Sequence, residues 1–150
     1  MSAPFHAGSY GERFQSMGDE AESNFERLNT NWIRFGFNRP DVSKFYQISH
    51  TIRATPDYIQ SDPPRLVEVM GMGSKPLKFK LEKMAALQWW DCSGMDVWLW
   101  IWSSTRQAHA QIRYRDLMTV INKNEVSLGS FHEGKKYLNI SSKLLEWVDG

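Results

Sequence analysis

Two carboxylates stand where hydrocarbon or a plain turn is expected. Asp57 follows proline in Thr55-Pro56-Asp57-Tyr58, and Glu68 lies inside the apolar run Leu66-Val67-Glu68-Val69-Met70. A polar group buried without a partner costs about 2–7 kcal/mol, and a charge costs more. A buried strand therefore holds Glu68 only if something pairs with it or binds it. If the strand ending ahead of Asp57 pairs with the strand holding Glu68, both carboxylates point to one face of the sheet. Oxygen ligands of that kind suit a magnesium or manganese ion, and a cation held there offsets the burial cost and polarises a phosphodiester. The plainer readings are a turn aspartate after proline and a glutamate on the wet face of a sheet covered on one side.

The elements that must position these residues can be read from periodicity. From Gly18-Asp19 onward, Ala21, Phe25, Leu28 and Trp32 recur at helical spacing and form one stripe. Lys44 to Ala54 alternates as a strand, and Leu66 to Met70 forms a second, antiparallel to it across the turn Gln60-Ser61-Asp62-Pro63-Pro64-Arg65. Leu77 to Trp90 reads as a helix with Leu77, Leu81, Met84, Ala85 and Gln88 on its apolar side. Asp96 to Ser103 alternates Val97, Leu99 and Ile101 with Trp98, Trp100 and Trp102, so it is a central strand covered on both faces. A helix around Tyr114 to Ile121, a hairpin turning at His132-Glu133-Gly134 and an amphipathic end at Lys143 to Val148 complete the chain. The expected fold is α/β (α+β), a central mixed sheet flanked by helices.

Composition sets limits on function. With 150 residues, 41% of them hydrophobic, the chain has the size of one domain. Eighteen basic against seventeen acidic residues leave a net charge of +1, so attraction to nucleic acid must come from charge distribution. Cys92 is the sole cysteine, which excludes an intrachain disulfide and a cysteine zinc cage and favours a reducing, cytoplasmic setting. The longest apolar run, Val97 to Trp102, is far shorter than the ~20 residues of a membrane-spanning helix. His6, His50, His109 and His132 share no metal-binding spacing, and no GxGxxG, GxxxxGK[ST] or GxSxG pattern supports a nucleotide cofactor or a serine nucleophile.

The order Thr55-Pro56-Asp57-Tyr58, then Val67-Glu68-Val69, then a helix and a strand ending Trp102-Ser103-Ser104 resembles the PD-(D/E)XK nuclease superfamily. Within it the chain is most similar to the small phage junction-resolving endonucleases, over Gly18 to Ser104. The resemblance implies a restriction-endonuclease-like fold for 18–150; ahead of it, 1–17 is rich in small residues and reads as a flexible arm. It implies Asp57 and Glu68 as metal ligands, completed by an acid from the first helix. By helical angle Glu22 is the choice, about 90° from the centre of the apolar stripe and on its rim, with Glu20 the fallback. The implied activity is magnesium- or manganese-dependent hydrolysis of DNA, branched DNA such as a four-way junction in particular, by a homodimer in the cytoplasm of a phage host.

Met70 departs from the family pattern, which places a lysine two residues after the second acid to stabilise developing negative charge. A thioether cannot do that. Lys75, Lys78, Lys80 and Lys83 follow at once, and on the helix expected from Leu77, Lys78 lies near the apolar face, Lys80 flanks it and Lys83 faces solvent. Lys80 or Lys78 is thus the expected replacement. The alternative is a non-catalytic DNA-binding or phage assembly protein that keeps the nuclease fold, with Met70 marking the lost chemistry.

Overall fold

The run that alternates valine, leucine and isoleucine with tryptophan becomes the centre of the molecule. In the computed structural model, which describes residues 10–36 and 55–150, strand β5 (Val97–Ser103) is covered on both sides. Ahead of it come helix α1 (Tyr10–Leu28), β1 (Trp32–Arg34), β2 (Tyr58–Gln60), β3 (Arg65–Met72), β4 (Leu77–Lys80) and α2 (Leu81–Cys92). After it come β6 (Ala108–Arg113), α3 (Tyr114–Lys123), β7 (Ser127–Ser130), β8 (Lys136–Ile140), a 3-10 turn (Ser142–Leu144) and β9 (Val148–Asp149). Among the described residues the main sheet has six strands in the order β1-β2-β3-β5-β6-β9, and β4-β8-β7 form a second sheet. In the main sheet only the β3–β5 pair is parallel, so the fold is α+β with a central mixed sheet flanked by helices. Among the described residues no helix is long and apolar enough to cross a membrane.

Each face of the main sheet has its own core. Val67, Val69, Trp100 and Trp102 meet Ala21 and Phe25 of α1, so the stripe expected on the first helix is the one that packs. On the opposite face Leu99 and Ile101 meet Leu87 of α2 and Tyr114 and Leu117 of α3. The Tyr114 hydroxyl donates to Gln88 Oε1 (2.9 Å) and to the Met84 carbonyl (3.1 Å), which fixes α2 against α3 and therefore fixes where α2 presents its first turn.

Several sequence expectations shift. The first helix begins at Tyr10, eight residues before Gly18, so 10–17 are helical and not an arm. The strand expected over Lys44 to Ala54 lies outside the described residues, as do 1–9 of the arm; the antiparallel partner of β3 is β2, reached after Asp57. Leu77 to Trp90 is not one helix. Leu77 and Phe79 are buried while Lys78 and Lys80 are partly exposed, a period of two, and the helix starts only at Leu81. Strand β6 had no expected counterpart, because Ala108-His109-Ala110-Gln111 offers no strong alternation.

Candidate active site

Period-two geometry places Glu68. Val67 and Val69 point toward α1, so Glu68, Met70 and Met72 point to the face under α2. Strand β3 lies between β2 and β5 with both faces covered, and Glu68 is only 4% exposed. The wet-face reading of Glu68 therefore does not hold. Tyr58 pairs with Val67, and extending that register by one residue sets Asp57 across from Glu68 on the same face. The Val69 N–H donates to Asp57 Oδ2 at 2.9 Å, which pins the carboxylate, and the Asp57 carbonyl accepts from the N–H groups of Phe35 and Gly36 (2.9 and 3.2 Å).

The cation that answers Glu68 is Lys83. Its Nζ donates to Glu68 Oε1 at 2.6 Å from the first turn of α2, with the lysine side chain 31% exposed. Lys83 faces solvent if Leu77, Leu81, Met84, Ala85 and Gln88 form the apolar side; in the structure Ala85 and Gln88 are exposed and the buried side holds Ala86 and Leu87, three and four residues after Lys83, which turns Lys83 toward the sheet. Lys78 and Lys80 lie elsewhere. Lys78 Nζ is 5.2 Å from the centroid of the Tyr137 ring and 5.6 Å from that of Phe131, and Lys80 Nζ is 5.4 Å from Phe131. Both therefore lean on the hairpin of the second sheet, and Met70 packs at the edge of the apolar core under α2.

Of the two candidate glutamates of α1, Glu22 pairs with Arg34 and Glu20 with Trp102. Glu22 accepts from Arg34 at 3.2 Å, with Glu26 3.8 Å from the same guanidinium, although the charge of Glu22 is felt at Asp57 and Lys83. Glu20 accepts from the Trp102 indole N–H at 3.1 Å and serves the core beneath α1.

Electrostatics at the site are unbalanced. Burial, and then the facing Glu68, push the Asp57 carboxyl well above the ordinary carboxylate range, against the pull of the Lys83 ammonium and the Val69 N–H. Burial works against the charge on Lys83, but Glu68 and Asp57 outweigh it and hold the ammonium above its ordinary value. Two carboxyl groups thus share one ammonium, and Glu68 Oε2 is buried with no hydrogen-bond partner among the described residues. Among the described residues no three of His, Cys, Asp and Glu gather closely enough to cage an ion. Two carboxylates still fit magnesium, which keeps several waters and is commonly held by one or two carboxylates plus substrate phosphate. The orphaned Glu68 oxygen is the donor such an ion would use.

Beside Lys83 opens a cleft of about 420 Å³, between Met17 and Gly18 of α1 and the chain from Val69 to Lys78. It lies at the C-terminal end of β3, where open sheets with parallel strands place their ligands. Ser104 fixes that end: its N–H and its hydroxyl both donate to the Met72 carbonyl (2.9 and 3.3 Å). Compared with known proteins, the chain matches no family model and no curated protein sequence.

Proposed function

We propose that this chain is a metal-dependent nuclease hydrolysing phosphodiester bonds in DNA, with Asp57 and Glu68 holding a magnesium or manganese ion and Lys83 acting on the phosphate. The observation that carries the proposal is the buried Glu68 carboxylate, one oxygen on the Lys83 ammonium and the other without a partner among the described residues, facing Asp57. A bound ion would supply Lewis acidity at the phosphoryl oxygen. The chain's own residues supply the rest. Lys83 stays charged through the neutral range, so it meets developing negative charge as a fixed cation rather than as a proton donor. The Val69 N–H orients the Asp57 carboxyl, and Tyr114 and the α2–α3 contact keep Lys83 in place before substrate arrives.

The reading of a catalytically silent relic drew on Met70. With Lys83 on Glu68, the missing lysine at that position no longer favours loss of chemistry. Branched DNA as substrate, a homodimer as the working form and the cytoplasm of a phage host as the place of action extend the proposal on the strength of the family resemblance.

Cleavage of a four-way junction, a linear duplex and single-stranded DNA, each with magnesium and with manganese, tests it. The wild-type chain is expected to cut at least one of them, and Asp57→Asn or Glu68→Gln to abolish the cut while the fold persists. A folded wild-type chain that cuts none of the three with either metal would sink the proposal.

A further inference from the structure

Three glycines line or border the cleft beside Lys83, and only one of them is explained by packing. A Cβ on Gly71 would meet the Met17 carbonyl oxygen at 2.5 Å, so α1 can cross β3 only because Gly71 has no side chain. Gly18 differs. It lies within α1, where glycine is among the poorest helix formers, yet a Cβ there would meet nothing within 4 Å. A Cβ on Gly73 would meet only Ser104 Oγ, at an ordinary 3.7 Å. Neither residue has the left-handed backbone that favours glycine. What their bare Cα atoms do is leave the cleft open.

The walls describe what fits. Met17, Met70 and Met72 line the cleft together with Lys75, Lys78 and Lys83. Thioethers are polarisable and adapt to flat apolar partners, and the lysines attract anions. A flat apolar body carrying negative charge is the chemistry of a nucleotide. At about 420 Å³ the cleft is at the small end of ligand pockets, enough for one nucleotide and too small for a duplex. A base enters such a space only after leaving its stack.

We propose that this cleft holds one unstacked nucleotide adjoining the phosphodiester to be cut, so that the substrate is a strand with unpaired bases. This rests on the nuclease reading, since Lys83, which lines the cleft and is paired with Glu68, defines which phosphate is attacked. It also gives Met70 a use: a lysine moved to α2 frees that position on β3 to form an apolar wall.

The test fills the cleft without touching Asp57, Glu68 or Lys83. Gly18→Leu and Gly73→Leu, made separately, are compared with wild type for binding of a fluorescent oligothymidylate and of a duplex of equal length, and for cleavage of both with manganese. The wild type is expected to bind the single strand more tightly, and each filled variant to lose about tenfold or more in affinity for it, with cleavage of the strand falling in parallel. A second measurement avoids substitution: with methyl-labelled methionine, oligothymidylate should shift the Met17 and Met70 signals and leave exposed Met95 unmoved. Filled variants that fold and bind the strand as wild type does, or methionine signals that do not move, would overturn the cleft assignment while duplex cleavage keeps the nuclease reading intact. Cleft-dependent binding with no cleavage of any substrate would support the cleft and overturn the nuclease reading instead.

Discussion

Lys83 Nζ lies 2.6 Å from Glu68 Oε1, although the two residues are carried by different elements, the first turn of α2 and the middle of β3. A cation in the first turn of a helix opposes the helix dipole, and a carboxylate in a covered strand opposes burial. Each misplacement is answered by the other. Glu82, the neighbour that suits the dipole, turns outward to Lys135 at 3.1 Å.

Asp57 sets the pH dependence of stability. A carboxyl whose folded pKa exceeds its unfolded value binds more protons when folded. Stability therefore falls as pH rises from the unfolded value, about 3.9, toward the raised one. Lys83 acts in another range: its contribution is complete below the unfolded lysine value, about 10.4, and is lost as pH rises from there through its raised folded value. Asp57→Asn, whose amide oxygen can still accept from the Val69 N–H, is expected to flatten the decline in melting temperature as pH rises above the unfolded carboxyl value. It should raise the midpoint at neutral pH by about 2–4 °C, the scale of ~1 kcal/mol in a domain of this size. An unchanged slope would show that the Asp57 carboxyl is not displaced.

Metal should stabilise the fold through the same carboxylates. Because an ion that binds only the folded chain adds RT ln(1 + [L]/Kd), manganese at a hundredfold its Kd is expected to contribute about 2.7 kcal/mol. The shift in melting temperature should vanish in Glu68→Gln and persist in Lys83→Met, since the ammonium is not a ligand. A shift that survives Glu68→Gln would place the ion elsewhere.

The carboxylates were legible in the sequence and their ammonium was not. Glu68 among Leu66, Val67, Val69 and Met70 declares its own misplacement, and Pro56-Asp57 marks the entry to its partner strand. The tryptophan run of β5 likewise shows a strand covered twice. Lys83 was lost to a wrong period: Leu77 and Phe79 alternate with Lys78 and Lys80 for only four residues, too short a signal beside the helix that follows at once. Reading those four residues as a helix centres the apolar side on Leu77, Leu81, Ala85 and Gln88 and turns Lys83 outward, whereas the side that is buried runs through Ala86 and Leu87. Glu22 and Glu20 fit the rim of the stripe, but angle around a helix does not say which neighbour will claim a side chain, and Arg34 and Trp102 did.

Two glycines of the cleft should respond to alanine with opposite signs. Gly71→Ala drives a Cβ to 2.5 Å from the Met17 carbonyl oxygen, backbone that cannot turn aside, and is expected to cost about 1–3 kcal/mol as α1 is lifted from β3. Gly18→Ala meets nothing and is expected to gain up to about 1 kcal/mol from helix propensity. Urea unfolding of both variants decides this, and a neutral Gly71→Ala would mean that α1 does not cross β3 so closely.

The proposal that Lys83 replaces a lysine at position 70 can be tested by moving the lysine back. On the proposed nuclease reading Lys83→Met removes the ammonium that meets charge on the phosphate, and the loss of one such group is expected to slow cleavage by about 10²–10³-fold. Binding of DNA should change far less, because the lost interaction strengthens chiefly in the transition state. Met70 points to the same face as Glu68, two residues along β3, and is half-exposed at the cleft, so a lysine there can reach the same phosphate. Met70→Lys in the wild-type background should add little, since the position is already served. In the Lys83→Met background it should recover part of the lost rate, with kcat rising more than KM falls. If Lys83→Met cuts as fast as wild type, the ammonium serves only to neutralise Glu68; if Met70→Lys alone turns an inert chain into a nuclease, the chemistry was silenced at position 70 and Lys83 never replaced it.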